Sequence, residues 1–383
     1  MRRYPMLDGL RLLAAALVLL SHVAFWTGAA GTDLSGPMLA RGDSGVAVFF
    51  AISAFLLLRP FLDRPVDLHR YAVHRAARIL PAYYLALVAV LAVLYARTGS
   101  LGTTTDVVSH LLLTQGYTGA DYQAFSQTWS LTTEVTFYLL VPVLGPALGR
   151  ALRRAPGRAF AGLVAIGVLG LLAQAVAAAG TSAGVSGWPG VLATSVLGHG
   201  LWFCVGAAGA ALACPAGRDW ALRRAPLLHA ANAAQLACGA VGVFLLMSLP
   251  WAGPVDLSAP TVPQAVVKEL FYGLFAAALL GAATRPPCDA AAAAAHRLPV
   301  LRTAGDLSYA IFLWHVLVLQ LLYLVAGWPL FSGGFGWMLF AVVTVTGLVA
   351  HFSTVFIERP ALARWASRPV AADTEVPQPA ARG

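Results

Sequence analysis

The 383-residue chain has little charge and almost no lysine. Only 11% of its residues are Asp, Glu, Lys or Arg, against 59% hydrophobic, and its single lysine, Lys268, faces 24 arginines. A mean hydropathy of +0.75 is more apolar surface than a soluble domain of this length can hide, so a soluble enzyme is excluded and a polytopic membrane protein remains. The four cysteines, Cys204, Cys214, Cys238 and Cys288, have no metal-ligand spacing. Two fall in apolar segments and two in or beside loops, which argues against both a disulfide framework and a zinc box. No Walker loop, dinucleotide fingerprint or GxSxG elbow is present. The net charge of +9 does not imply a nucleic-acid partner, because the arginines are not gathered on one polar face.

What the chain has instead is apolar length. A spanning helix needs about 20 apolar residues. Ten such segments occur, near 10–30, 42–61, 79–97, 129–148, 159–180, 190–213, 229–249, 263–283, 303–325 and 336–356. The expected fold class is therefore all-α, a polytopic membrane protein with ten transmembrane helices embedded in a lipid bilayer. The arginines fall in alternate loops. With both termini cytoplasmic, every arginine except Arg41 and Arg97 lies inside, which fixes the orientation by the positive-inside rule and favours an even number of spans. Asp8 and Arg11 fit a cleaved signal peptide poorly, so the first helix is expected to stay. Residues 1–369 read as one transmembrane domain, with a low-complexity linker at 289–297, and residues 370–383 as a disordered cytoplasmic tail.

Ionisable groups in hydrocarbon are costly and usually face a cavity or the bundle interior. The first helix, "LDGLRLLAAALVLLSHV" (7–23), carries Arg11 and, eleven residues on, His22. That interval is three turns plus about 20°, so the two share one face about 16 Å apart along the axis. In "RYAVHRAARILPAYYLAL" (70–87), Arg75 and Arg78 are spaced i, i+3 and point the same way. Paired guanidiniums suit phosphate oxygens, and an ordinary cytoplasmic cap is the plain alternative. In "QTWSLTTEVTFYLLVPVL" (127–144), Glu134 enters an apolar helix from outside and needs a partner, either His22 or Lys268, unless it caps its own helix. His315, in "LSYAIFLWHVLVL" (307–319), reads as a packing or hydrogen-bonding residue, because a lone histidine within a span is more often that than a catalyst. In "FIERPALAR" (356–364), Pro360 is expected to stop the last span, and Glu358 either holds Arg75 or Arg78 in place or is solvated.

These stretches, in this order, resemble the acyltransferase 3 family of membrane acyltransferases, which includes bacterial O-antigen acetylases. "GVAVFFAISAFLL" adds a further match, and the likeness covers roughly residues 5 to 365. Its most specific parts are the basic residue, ten intervening positions and then His on helix one, and RxxR before helix three. The resemblance implies ten spanning helices in the inner membrane of a bacterium. It implies an acyl group, acetyl or another short chain, taken from cytoplasmic acyl-CoA. The acyl group passes to a hydroxyl of a carbohydrate-containing acceptor: a surface glycan, a glycolipid, a peptidoglycan sugar or a macrolide. Carried over by motif, His22 is the catalytic histidine with Arg11 as its basic companion, Glu134 the acidic residue of the WSL motif, Arg75 and Arg78 the RxxR pair, and Glu358 the acidic residue before the terminal Arg-Pro. The donor-binding set is then Arg11, Arg75, Arg78 and Glu358. This chain departs in having Ser53-Ala54-Phe55 where the family has Ser-Gly-Phe, which narrows a close backbone approach, and in keeping one acidic group where the family's "EEQFY"-like run has two.

In the mechanism this suggests, His22 takes the acceptor's hydroxyl proton, or itself accepts the acyl group before passing it on. The alternative function is a proton-coupled transporter or flippase of a glycan or lipid, which buried His and Glu would also suit. No inverted repeat or pair of interrupted helices supports it.

Overall fold

A computed structural model describes residues 4–31, 35–224, 231–285 and 299–366, and no strand occurs among them. Cys288, the 289–297 linker, Arg2, Arg3, Arg297, Arg368, Arg382 and the 370–383 tail lie outside the described residues, as does the side chain of Arg302.

The principal helices are α1 (Met6–Trp26), α2 (Gly45–Asp63), α3 (Leu68–Thr98), α4 (Trp129–Arg154), α5 (Pro156–Ser182), α6 (Gly200–Ala213), α7 (Ala233–Met247), α8 (Val262–Thr284), α9 (Pro299–Ala326) and α10 (Phe335–Ser353). Eight helices among the described residues are long and apolar enough to cross a membrane, or nine if one bent pair is a single span. The expectation of ten is not met on length alone, for two local reasons. Segment 190–213 is two pieces, Trp188–Thr194 and α6, and α6 turns by 95° into Pro215–Arg224, where Pro215 disfavours helix at the residue before it. Segment 229–249 yields only the 15 residues of α7, about 22 Å of helix against a core of ~30 Å.

The last span does not end at Pro360. α10 passes through a π-helical turn, Thr354–Glu358, into a further helix, Arg359–Ala366. Pro360 sits in the first turn of that helix, where its missing N–H costs nothing.

Caps place the functional side chains. Asp67 accepts from the Arg70 backbone N–H at 3.1 Å, starting α3 two turns before Arg75 and Arg78, and Gly99 closes α3 at φ +68°. Thr261 and Gln264 form a capping box at the start of α8, which sets Lys268 and Glu269 in its second turn.

α1 lies along α9, and α2 along α6. The approaches of α2 to α1 and to α6 need glycine. A Cβ on Gly45 would sit 2.3 Å from the Ala14 carbonyl oxygen, and one on Gly206 would sit 2.1 Å from the Ala51 oxygen and 2.7 Å from the Ala54 Cβ. Gly206 on the facing helix thus leaves room for Ala54. Outward faces carry exposed apolar side chains such as Leu139, Val143, Val164, Leu172 and Phe340, the pattern of a lipid-facing surface.

Candidate active site

Arg11 and His22 share the inner face of α1, as their spacing requires, but they open into different cavities. Arg11, Arg75 and Arg78 line one of about 280 Å³, together with Ser53, Glu134, Tyr138, Ser308, Tyr309 and Phe312. His22 lines another, of about 420 Å³. Val46 and Phe312 line both, so these two side chains form the wall between them.

The first cavity is rich in positive charge. Arg11 has Asp8 at 3.8 Å, while Arg75 and Arg78 form no ion pair among the described residues. Arg75 Nη2 lies 3.0 Å from His74 Nδ1, and its Nε is buried without a partner. An orphaned guanidinium donor in a cavity with two further arginines favours an anionic ligand.

Glu134 belongs to this cavity and not to His22. Its Oε1 accepts from Ser53 Oγ and, at 2.7 Å, from Tyr138 Oη. Lys268, the other partner considered for it, is bound 2.9 Å from Asp43 instead. The expected Glu134–His22 contact therefore does not form. Glu134 enters α4 at a depth and on a face that meet α2, so the hydroxyl of Ser53 takes it up. Glu358 is buried, 3.3 Å from Ser353 Oγ and 3.4 Å from Thr354 Oγ1. It does not line the cavity. Its hydrogen bonds go to its own helix, and no ion pair with Arg75 or Arg78 forms among the described residues.

The second cavity holds groups that the sequence did not single out. His199 Nδ1 lies 3.1 Å from Glu269 Oε2, and Trp202 stacks on the His199 ring at 4.0 Å and 16°. Tyr272 donates to Asp43, which also holds Lys268. The Gln127 Oε1 and Glu269 Oε1 atoms are buried without partners. A buried acceptor left unpaired is costly, and both of these residues line the cavity. A polar residue inside an apolar span was the available signal for Glu269. The partner of such a residue cannot be read locally.

His22 itself meets a second imidazole. Its Nδ1 is 2.9 Å from the Val18 carbonyl oxygen and 3.4 Å from His315 Nε2, with ring centroids 5.0 Å apart. His315 was expected to be a packing or hydrogen-bonding residue, and here it contacts the candidate base. Among the described residues no cluster of three His, Cys, Asp or Glu is placed to hold a metal ion.

Fold and site define an integral-membrane protein that gathers its polar groups along one path through a helical bundle, cationic at one end and aromatic and acidic at the other. The chain belongs to the acyltransferase domain family, whose family model matches residues 4–354, and it is by family a membrane acyltransferase. It is similar to nodulation protein 10 of Rhizobium leguminosarum bv. viciae, at 32% identity over 156 residues, which is 34% of this chain and 41% of that protein. The chain thus matches less than half the length of that relative. No solved structure matches it.

Proposed function

We propose that the protein moves a short acyl group, acetyl being the simplest, from cytoplasmic acyl-CoA to a hydroxyl of a glycan, glycolipid or glycosylated metabolite. The reading includes a bacterial inner-membrane location, ten crossings and both termini in the cytoplasm. α6 with its bent continuation and the short α7 then supply the two crossings beyond the eight long ones. The observation that carries the reading is the shared wall: Val46 and Phe312 separate a cavity lined by three arginines from the cavity that holds His22.

With the arginine side facing the cytoplasm, Arg11, Arg75 and Arg78 bind the phosphates of CoA. A cavity of about 280 Å³ admits the narrow pantetheine arm and leaves the nucleotide at its mouth. The arm brings the thioester to Val46 and Phe312. The acceptor enters from the opposite side, its ring against Trp129 or Trp202 and its spare hydroxyls donating to Glu269 and Gln127. His22 takes the proton of the reacting hydroxyl, the oxygen attacks the thioester carbon and the C–S bond breaks. The CoA thiolate then takes up the proton from His22, which leaves an ester, free CoA and a neutral imidazole.

The test is thiol release by the purified protein supplied with acetyl-CoA and candidate sugars, with product mass measured. An acceptor gaining the mass of one acyl group as CoA is freed is the expected result. Transport of a glycan without acyl-CoA consumption would replace this reading with the transporter. Comparing envelope and secreted metabolites of a deletion strain with its parent identifies the acceptor.

A further inference from the structure

We propose that His315 is a positioning residue for His22: beside the Val18 carbonyl it accepts a hydrogen bond from His22 Nδ1–H, and the two acceptors together hold the ring in one tautomer and leave Nε2 as the reacting nitrogen. The inference rests on the reading of His22 as the base of acyl transfer.

The tautomers follow from what each nitrogen faces. A carbonyl oxygen can only accept, so the Val18 oxygen 2.9 Å from His22 Nδ1 requires the proton to sit on that nitrogen. His315 Nδ1 lies 2.8 Å from the Phe312 oxygen and 3.2 Å from the Ile311 oxygen, so it too carries its proton there. His315 Nε2 is then a bare lone pair 3.4 Å from the same nitrogen, so the one Nδ1–H of His22 is shared between the Val18 oxygen, the nearer acceptor, and His315. His315 is fully buried, so no bulk water competes for that lone pair. The chain runs from the Phe312 carbonyl through His315 to His22, and its free end is His22 Nε2.

The arrangement suits a proton taken up and returned. When Nε2 takes the hydroxyl proton, the imidazolium charge strengthens the bond from Nδ1–H to His315. When the thiolate takes that proton back, the ring returns to the same tautomer. In hydrolytic triads a carboxylate fills this place. Here the nearby carboxylates are engaged elsewhere: Asp43 holds Lys268 and Tyr272, Glu269 holds His199, and Glu134 lies in the arginine cavity. A neutral imidazole gives an acceptor at this depth without the cost of burying a second charge.

Two measurements test the assignment, and one of them does not depend on activity. The first is 15N-histidine solid-state NMR of the full chain in bilayers, with His22→Gln and His315→Gln difference spectra for assignment. Both rings are expected to be protonated at Nδ1 and bare at Nε2. A proton on Nε2 of His315 removes its acceptor and overturns the proposal, whatever the protein transfers. The second is kinetic. His315→Phe keeps a ring and loses the acceptor, whereas His315→Gln returns an acceptor near the position of Nε2. The Phe variant is expected to lose about 10- to 150-fold in kcat, the range of one hydrogen bond to a charged group, with KM for acetyl-CoA unchanged and activity partly restored by Gln. Equal losses in both variants, a change confined to KM, or an Phe variant within twofold of wild type would each overturn it. If the Phe variant fails to fold, the NMR result decides. Absence of acyl transfer by the wild-type protein, with both tautomers as expected, would sink the functional reading while leaving the histidine pair as described.

Discussion

Tyr138 donates its hydroxyl to Glu134 Oε1 at 2.7 Å, one turn along the same helix, and this bond fixes Glu134 among the arginines instead of beside His22. A carboxylate there offsets part of the charge that Arg11, Arg75 and Arg78 place around one cavity, and its partners need only an oxygen acceptor.

Glu134→Gln keeps that acceptor and removes the charge. It is expected to bind CoA at least as tightly as wild type and to retain more than a tenth of kcat. Loss of the proton-transfer step, read as a fall of about 10²-fold or more in kcat with CoA affinity intact, would return Glu134 to the role of partner to His22. Isothermal calorimetry with CoA and steady-state kinetics, run on one preparation, separate these outcomes.

On the acceptor side, Glu269 is the group to remove. Its Oε1 is buried without a partner in the cavity that holds His22. Glu269→Ala should raise the acceptor KM by about 10- to 150-fold, the range for losing one hydrogen bond to a charged group, and leave the affinity for CoA unchanged. Because His199 loses its partner as well, Glu269→Gln is the companion variant and should fall between Ala and wild type. Unchanged acceptor KM in both would assign the His199–Glu269 pair to holding α6 against α8.

What could be read from the sequence was local. Arg11 and His22 on one face of α1, and Arg75 with Arg78 one turn apart on α3, follow from helical periodicity alone, and in the fold the three arginines do line one cavity. The apolar runs gave the all-helical class. Partners across the bundle had no such signal: His22 and His315 are 293 residues apart in sequence, and Lys268 and Asp43 are 225 apart. The partners of Glu134, Ser53 and Tyr138, are not legible for the same reason, since a buried carboxylate announces that it needs a partner without saying which helix supplies it. The helix break at Pro215 and the π-turn before Pro360 fall inside or beside apolar runs, and hydropathy does not report backbone geometry.

Orientation is tested separately from chemistry. Arginine asymmetry places Gly157, in the first turn of α5, in the cytoplasm, and Gly116, in the connection between α3 and α4, outside. A reporter active only in the cytoplasm should work at Gly157 and fail at Gly116, and a periplasm-active reporter should do the reverse. A periplasm-active signal at Gly157 would invert the bundle and place the arginine cavity on the wrong side for cytoplasmic acyl-CoA.

Donor binding and proton transfer should be separable, because Arg11 and His22 lie about 16 Å apart by helix rise and face different cavities. His22→Ala is expected to abolish transfer while CoA still binds. Arg75→Ala and Arg78→Ala are each expected to weaken CoA affinity by about 10- to 150-fold, the range for one charge-assisted contact. Lysine at either position should recover only part of that loss, since it keeps the charge and loses the forked pair of donors. Glu358 is buried off the cavity, so Glu358→Gln should weaken CoA less than Arg78→Ala does. The same arginines help set topology, so insertion and orientation of each variant are checked by the reporter fusions first. Calorimetry with CoA on the detergent-purified variants then gives the answer. A histidine variant that no longer binds CoA, beside two arginine variants that bind it normally, would reverse the roles assigned to the two cavities.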